Sequence, residues 1–226
     1  MKRHAWISGV AGAVCLATSA WADSGTWTSG TGGNWSDAAN WEGGIIASNS
    51  GSTATFNTGT GTVTNDMTDP ALMLLGLQFA GGGYTLAGNT VTLDAAGFIN
   101  VLGDSHAVSA PLSLSGLTTL TLASGQTLTL DGEISGDGSL KAYGGRTVLG
   151  AANTYAGPTV LVTGTLEVAS VDALGSSAGD SANLILGEGT FRYTGPSATL
   201  NRGYTLIPGV SRSEERRVGK ECRSRW

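Results

Sequence analysis

The 226-residue sequence predicts an all-β protein built as a solenoid or a barrel. Three observations carry this. Short runs alternate β-branched or aliphatic residues with polar ones, as in Tyr84-Thr85-Leu86, Val91-Thr92-Leu93 and Thr127 to Leu130. Gly, Asn or Ser-Gly separates the runs. The 36 glycines have no period of three, which excludes collagen, and only 13% of residues are charged, which excludes a disordered polyampholyte.

The first segment, 1–22, reads as a signal peptide. Lys2, Arg3 and His4 form a basic start, and Ala5 to Ala17 is apolar. Ala20-Trp21-Ala22 is a small-x-small cleavage site that makes Asp23 the mature start. The apolar run is shorter than the roughly 20 residues that span a bilayer. Val14 before Cys15 argues against a lipoprotein.

Residues 23–210 form one predicted domain with no linker. Its N-terminal part, about 23–60, carries Trp27, Trp35 and Trp41, then a strand at Ala54-Thr55-Phe56. Exposed indole faces stack on sugars. Buried ones cover the open end of a solenoid, which must be closed. The capping reading is favoured because end caps are obligatory in such folds.

From Thr62 onward strands are expected at 84–86, 91–93, 98–101, 117–122 and 127–130. Leu72–Leu77 fits a short helix or a buried strand equally well. Further strands are expected at 147–149, 159–162, 165–168, 183–186, 189–193 and 204–206, with a loop at Leu174–Gly179. At about 20 residues per coil and 4.8 Å between strands, 23–210 makes eight or nine coils and a rod about 40 Å long.

The stretch Leu140 to Val168 organises the rest. It reads LKAYGGRTVLGAANTYAGPTVLVTGTLEV. This stretch resembles the autotransporter-associated β-strand repeat. Leu140, Lys141, Leu149, Gly150, Asn153, Thr154, Tyr155, Gly157, Thr159, Val162, Gly164, Thr165, Leu166 and Val168 fall on its pattern. Pro158 departs from it, since the family usually has Gly there. The Trp segment and residues 189–206 also look like sequences that accompany these repeats. The resemblance implies a right-handed parallel β-helix of the single-stranded, pectin-lyase-like kind, on an exported bacterial surface protein.

Residues 211–226 break with this pattern. Nine of the sixteen are charged, against eighteen of the 188 before them. The stretch resembles translated adaptor sequence, is read as non-native, and is set aside from functional reasoning. The natural protein is then expected to continue beyond Val210.

Charge and residue types narrow the function. Segment 23–210 holds four basic residues (Lys141, Arg146, Arg192, Arg202) against fourteen acidic ones. A net charge of −10 argues against nucleic acid, whose phosphates demand clustered Lys and Arg. Both cysteines, Cys15 and Cys222, lie outside this segment, so no disulfide staples it. Cysteine-poor passengers are also a feature of type V secretion.

Catalytic sets are weak. His106 is the one histidine after the signal peptide, which argues against a histidine metal site or a Ser-His-Asp triad. Gly175-Ser176-Ser177-Ala178-Gly179 matches G-x-S-x-G, but no helix pattern or histidine follows it. Asp131, Glu133 and Asp137, near Lys141 and Arg146, are the densest acidic group. Acidic side chains of lyase-type β-helices bind calcium, yet Asp131-Gly132 and Asp137-Gly138 read plainly as turns. There is neither a P-loop nor a dinucleotide fingerprint.

The expectation is therefore a non-catalytic structural module without a cofactor or metal. It would display binding surfaces toward a surface polysaccharide or a host cell, and its repeat would assist folding and export. The alternatives are a polysaccharide lyase or hydrolase on the same fold, and a carbohydrate-binding adhesin using Trp27, Trp35 and Trp41. The family anchors through a C-terminal barrel or a sorting helix, and neither pattern occurs in this chain.

Overall fold

The computed structural model describes residues 22–68, 71–176, 183–200 and 202–207. The expected signal peptide up to residue 21 and the charged stretch 211–226 lie outside the described residues. The chain is nearly all β, with 52% strand and 6% helix, and its parallel coils stack into a β-solenoid of about 7 turns.

Three strand columns build the solenoid. One stacks Gly25–Trp27, Thr53–Phe56, the second half of Met73–Phe79, the second half of Val91–Val101, and the first halves of Leu117–Leu130 and Ser139–Leu149. Thr159–Leu161, Leu184–Leu186 and Thr205–Leu206 continue it. A second column runs through Gly32–Asn34, Thr60–Asn65, Gly83–Gly88 and His106–Val108. It goes on through the second halves of Leu117–Leu130 and Ser139–Leu149 to Thr165–Val168 and Thr190–Tyr193. The third and shortest pairs the first halves of Met73–Phe79 and Val91–Val101 with Leu112–Leu114 and Ile134–Ser135.

Register explains the alternation in the sequence. Every second side chain points inward, and like falls on like. On the first column Ala54, Leu77, Ile99, Leu120, Ala142 and Leu161 stack as successive partners. On the second, Val63, Leu86, Val108, Leu130, Leu149 and Val168 do the same. All twelve are buried, so one continuous core fills the interior. Each coil then buries its apolar side against two neighbours.

Two expectations are corrected. The solenoid has about 7 turns, and equivalent positions commonly lie 22 residues apart rather than 20, as between Gly82 and Asp104 or Tyr84 and His106. The first coil is longer still, since Gly25 pairs with Ala54 after the excursion that carries the tryptophans. At 4.8 Å per coil the stack rises about 34 Å. The loop expected at Leu174–Gly179 begins as a 3-10 turn, Val171–Leu174, with Leu174 buried. Ser177, Ala178 and Gly179 lie outside the described residues. The ambiguous Leu72–Leu77 stretch forms strand from Met73, because Leu74 and Leu77 enter the two inward ladders with Leu93 and Ile99.

Candidate functional site

The repeat stretch is one coil and the turns that join it. Asn153 sits at a corner outside the strands; its backbone N–H donates to Asp172 O at 2.9 Å, and its side-chain amide adds two further bonds between coils. Its Oδ1 accepts from the Ile134 N–H one coil back at 2.8 Å, and its Nδ2 donates to Ala173 O one coil on at 2.6 Å. A short side chain with both a donor and an acceptor is what this corner requires. Asn65 performs part of the same service at another corner. It donates to Asn89 O and Thr90 O and accepts from the Met67 N–H.

Tyr155 is 0% exposed, and its hydroxyl pairs with Thr159 Oγ1 at 2.5 Å. Burial pushes its phenol up to about 12. Thr154 points outward and donates to Glu133 Oε1 at 2.8 Å. Thr159 and Leu166 are buried, and Thr165 is half-buried on the outer side. Gly157 and Gly164 stand where coils touch. A Cβ on Gly157 would lie 2.5 Å from Gly138 O, and one on Gly164, at φ +84°, would lie 2.1 Å from Gly144 O.

The outer side of the same coil carries an ion cluster that spacing alone does not reveal. Glu167 is buried under two guanidiniums. Arg146 forks onto it, with Nε to Oε2 at 3.1 Å and Nη2 to Oε1 at 2.7 Å. Arg192 Nη1 reaches Oε2 at 3.1 Å from the following coil. Register brings them together, since Glu167 pairs with Arg192 and Arg146 with Thr165. The sequence signal was present as the only glutamate on an inter-coil strand column flanked by arginines, but it needed the register to be read.

A shallow cleft of about 460 Å³ lies beside Arg146. Its cause is a mismatch of corners. Between Leu122 and Thr127 the strand carries four residues, 123–126, as an irregularity, while the next coil passes from Gly144 to Arg146 through Gly145 alone. The longer stretch overhangs the shorter one. Ser124, Gln126, Thr127 and Arg146 supply polar walls, and Gly144, Gly145 and Gly164 form the floor.

Trp27, Trp35 and Trp41 all face inward. Trp35 is 0% exposed, and Trp27 and Trp41 are buried. Trp41 packs edge-on against Trp27 and Trp35, with centroids 5.1 Å and 4.9 Å apart, and Phe56 closes the cluster. Each indole N–H is satisfied by a nearby carbonyl, at Ser29, Ala47 and Trp35 respectively for Trp27, Trp35 and Trp41. Rings so enclosed present no face on which a sugar can stack, which corrects the sugar-stacking expectation for Trp27, Trp35 and Trp41.

His106 is also buried. Its Nδ1 accepts from the Tyr84 N–H at 3.2 Å, Nε2 lies 3.0 Å from Gly103 O, and the ring stacks on Phe79. Burial lowers its pKa, against smaller opposing effects of the Gly103 carbonyl and Asp104. Asp131, Glu133 and Asp137 are exposed at the bends. Gly132 and Gly138 beside them press on Ala110 O and Gly116 O, each at 2.2 Å from the missing Cβ. Among the described residues no three His, Cys, Asp or Glu side chains come together as a cation site.

The chain is a parallel β-solenoid of the autotransporter-passenger kind. It is similar to the Adhesin BmaC autotransporter of Brucella suis biovar 1 (strain 1330), with 35% identity over 203 residues, covering 78% of this chain. The match spans only 6% of that adhesin's length. No family model matches the chain. No solved structure matches it.

Proposed function

We propose that this chain is a non-catalytic surface-display module of an exported autotransporter-type protein, whose stacked coils assist folding and export. One observation carries the reading: 35% identity to an autotransporter adhesin over a stretch that forms a continuous solenoid. In that role the inward ladders make the rod, and its outer face meets a surface polysaccharide or a host cell. Trp27, Trp35 and Trp41 serve as the N-terminal cap, for which their burial and satisfied N–H groups are the support. Asn153, Tyr155, Thr159, Gly157 and Gly164 serve as the coil-to-coil fasteners. The export reading adds Sec-dependent secretion with cleavage after Ala22.

The test is display of the full chain on a Gram-negative cell, with adherence to host cells and to polysaccharide-coated surfaces as the readout. Adherence above that of the bare cell is expected. The same protein, incubated with a polysaccharide panel that includes pectate with calcium, is expected to give no turnover. Turnover abolished by Asp131→Ala or Asp137→Ala rejects the reading in favour of a lyase.

A further inference from the structure

The described solenoid is poor in cations, and they are not scattered. Lys141, Arg146, Arg192 and Arg202 all fall in the C-terminal half of the described chain. Arg146 and Arg192 converge on Glu167, so the cluster holds two positive charges against one negative. Arg146 keeps 42% of its side chain exposed, and its two bonds to Glu167 use Nε and Nη2, leaving the Nη1 end of the fork. Glu167 thereby fixes the guanidinium in place, so little side-chain freedom remains to be lost on binding. Lys141, on the strand leading into this corner, lies over the Tyr143 ring at 5.2 Å.

The cleft beside Arg146 is lined by no other charged side chain. Ser124 and Thr127 bring hydroxyls, and Gln126 brings an amide that both donates and accepts. The floor is bare backbone, because any side chain on Gly144 or Gly164 would strike the coil below within about 2.2 Å. Such a site offers one localised positive charge among hydroxyl-complementary groups. A nucleic acid, with a charge at every residue, is poorly matched, and the acidic remainder of the solenoid repels it. A saccharide that carries one carboxylate or sulfate among neutral hydroxyls is well matched.

We infer that the cleft formed by the Ala123–Gln126 stretch and Arg146 binds an acidic sugar unit of a polysaccharide, with Arg146 taking its anionic group. The inference rests on the adhesive reading and names the ligand class for it. Bidentate guanidinium pairing with a carboxylate or sulfate supplies orientation as well as attraction. Ser124, Gln126 and Thr127 meet the ring hydroxyls.

The experiment uses the full 226-residue chain, chelator throughout, and fluorescence anisotropy of three labelled hexasaccharides. One is an oligogalacturonate, one a sulfated glucan and one the neutral glucan. Either acidic hexamer, or both, is expected to bind, and the neutral one is not. Binding of one alone tells carboxylate from sulfate as the source. Binding is expected to weaken as salt rises from about 0.05 M to about 0.5 M. Arg146→Gln is expected to weaken it about tenfold, the loss of one charged hydrogen-bonded contact.

Gly125→Asn is the variant that keeps the ion cluster intact. Gly125 lines the cleft and a Cβ there meets nothing within 4 Å, so a side chain is added at the cleft without a clash, and Asn tolerates the positive φ better than most residues. It is also expected to weaken binding about tenfold with an unchanged far-UV spectrum. No binding of either acidic hexamer, equal binding of the neutral one, or full binding by Gly125→Asn overturns the inference. If adherence of the displayed chain persists in any of these cases, the adhesive reading stands without this site. If adherence is absent as well, both fall.

Discussion

Single residues set how the coils are fastened, and three of them give direct tests. Tyr155 fills the core and its hydroxyl is hydrogen-bonded to that of Thr159. Tyr155→Ala is expected to cost about 3 kcal/mol, and Tyr155→Phe about 1 kcal/mol, read from urea unfolding. In a spectrophotometric titration of the five tyrosines, Tyr155 and Tyr84 are expected to ionise last, since burial raises both. Thr147 is the reverse case. It is buried between Leu128 and Leu166, and its hydroxyl has no partner among the described residues. Thr147→Val is expected to stabilise the solenoid by about 1 kcal/mol, because a stranded hydroxyl is removed and the shape is kept. His106 makes folding depend on pH. Its folded pKa lies below the ordinary 6.5, so the unfolded chain binds the extra proton. Stability from this group is complete above about 6.5 and is lost as pH falls toward the lower folded value. The unfolding midpoint is expected to drop across that window, and His106→Gln is expected to flatten it. A midpoint that rises on acidification contradicts this assignment. Asp66, held low by the Ser36 O–H and N–H in spite of its burial, acts below 3.8 and is separable from His106.

Elements are where sequence and structure can be compared most closely. Thr127 to Leu130 or Thr165 to Val168 were legible because one face is buried, and burial imposes the alternation that the eye finds. Leu112–Leu114 and Ile134–Ser135 were not, because two or three residues are too few to show a period. The Leu72–Leu77 stretch stayed ambiguous since its inward and outward positions are both apolar, and the partner strands decide it. Corners explain what else was missed. Asn65 and Asn153 look alike as turn residues, yet Asn153 spends both ends of its amide on neighbouring coils, and Asn65 spends its Nδ2 on the next coil and its Oδ1 on the Met67 N–H. The cleft depends on a four-residue stretch above a one-residue one, and that offset exists only once register is known. The same holds for Glu167 and its two arginines. Asn153→Ala is expected to leave the Ile134 N–H without its acceptor and to cost about 2 kcal/mol, while Asn153→Asp restores the acceptor but not the bond to Ala173. Hydrogen exchange at Ile134 would report the first change directly.

At the scale of the whole molecule the described coils share one core. Its far-UV spectrum is expected to be dominated by β-structure, and deletion of residues 211–226 is expected to leave the melting temperature unchanged. A drop of several degrees would show that the tail buries surface on the coils. Expressed in a Gram-negative host, the chain is expected to yield a periplasmic product beginning at Asp23, identified by mass spectrometry. Intact Met1 on cytoplasmic protein would overturn the export reading. These outcomes separate the parts of the proposal, because the spectrum tests the rod, the deletion tests the tail, and the N-terminus tests the route.

The short spacing of partners also has a mechanical meaning. A strand leans on the one about 22 residues before it and the one about 22 residues after, however long the stack. Load applied along the chain from its later end therefore meets one coil at a time, like thread drawn from a spool. Each release would free some 22 residues of extended backbone, about 75 Å of contour. A single-molecule pulling trace would then show evenly spaced steps, and a rod of this kind on a cell under flow would yield by lengthening in small increments before it let go.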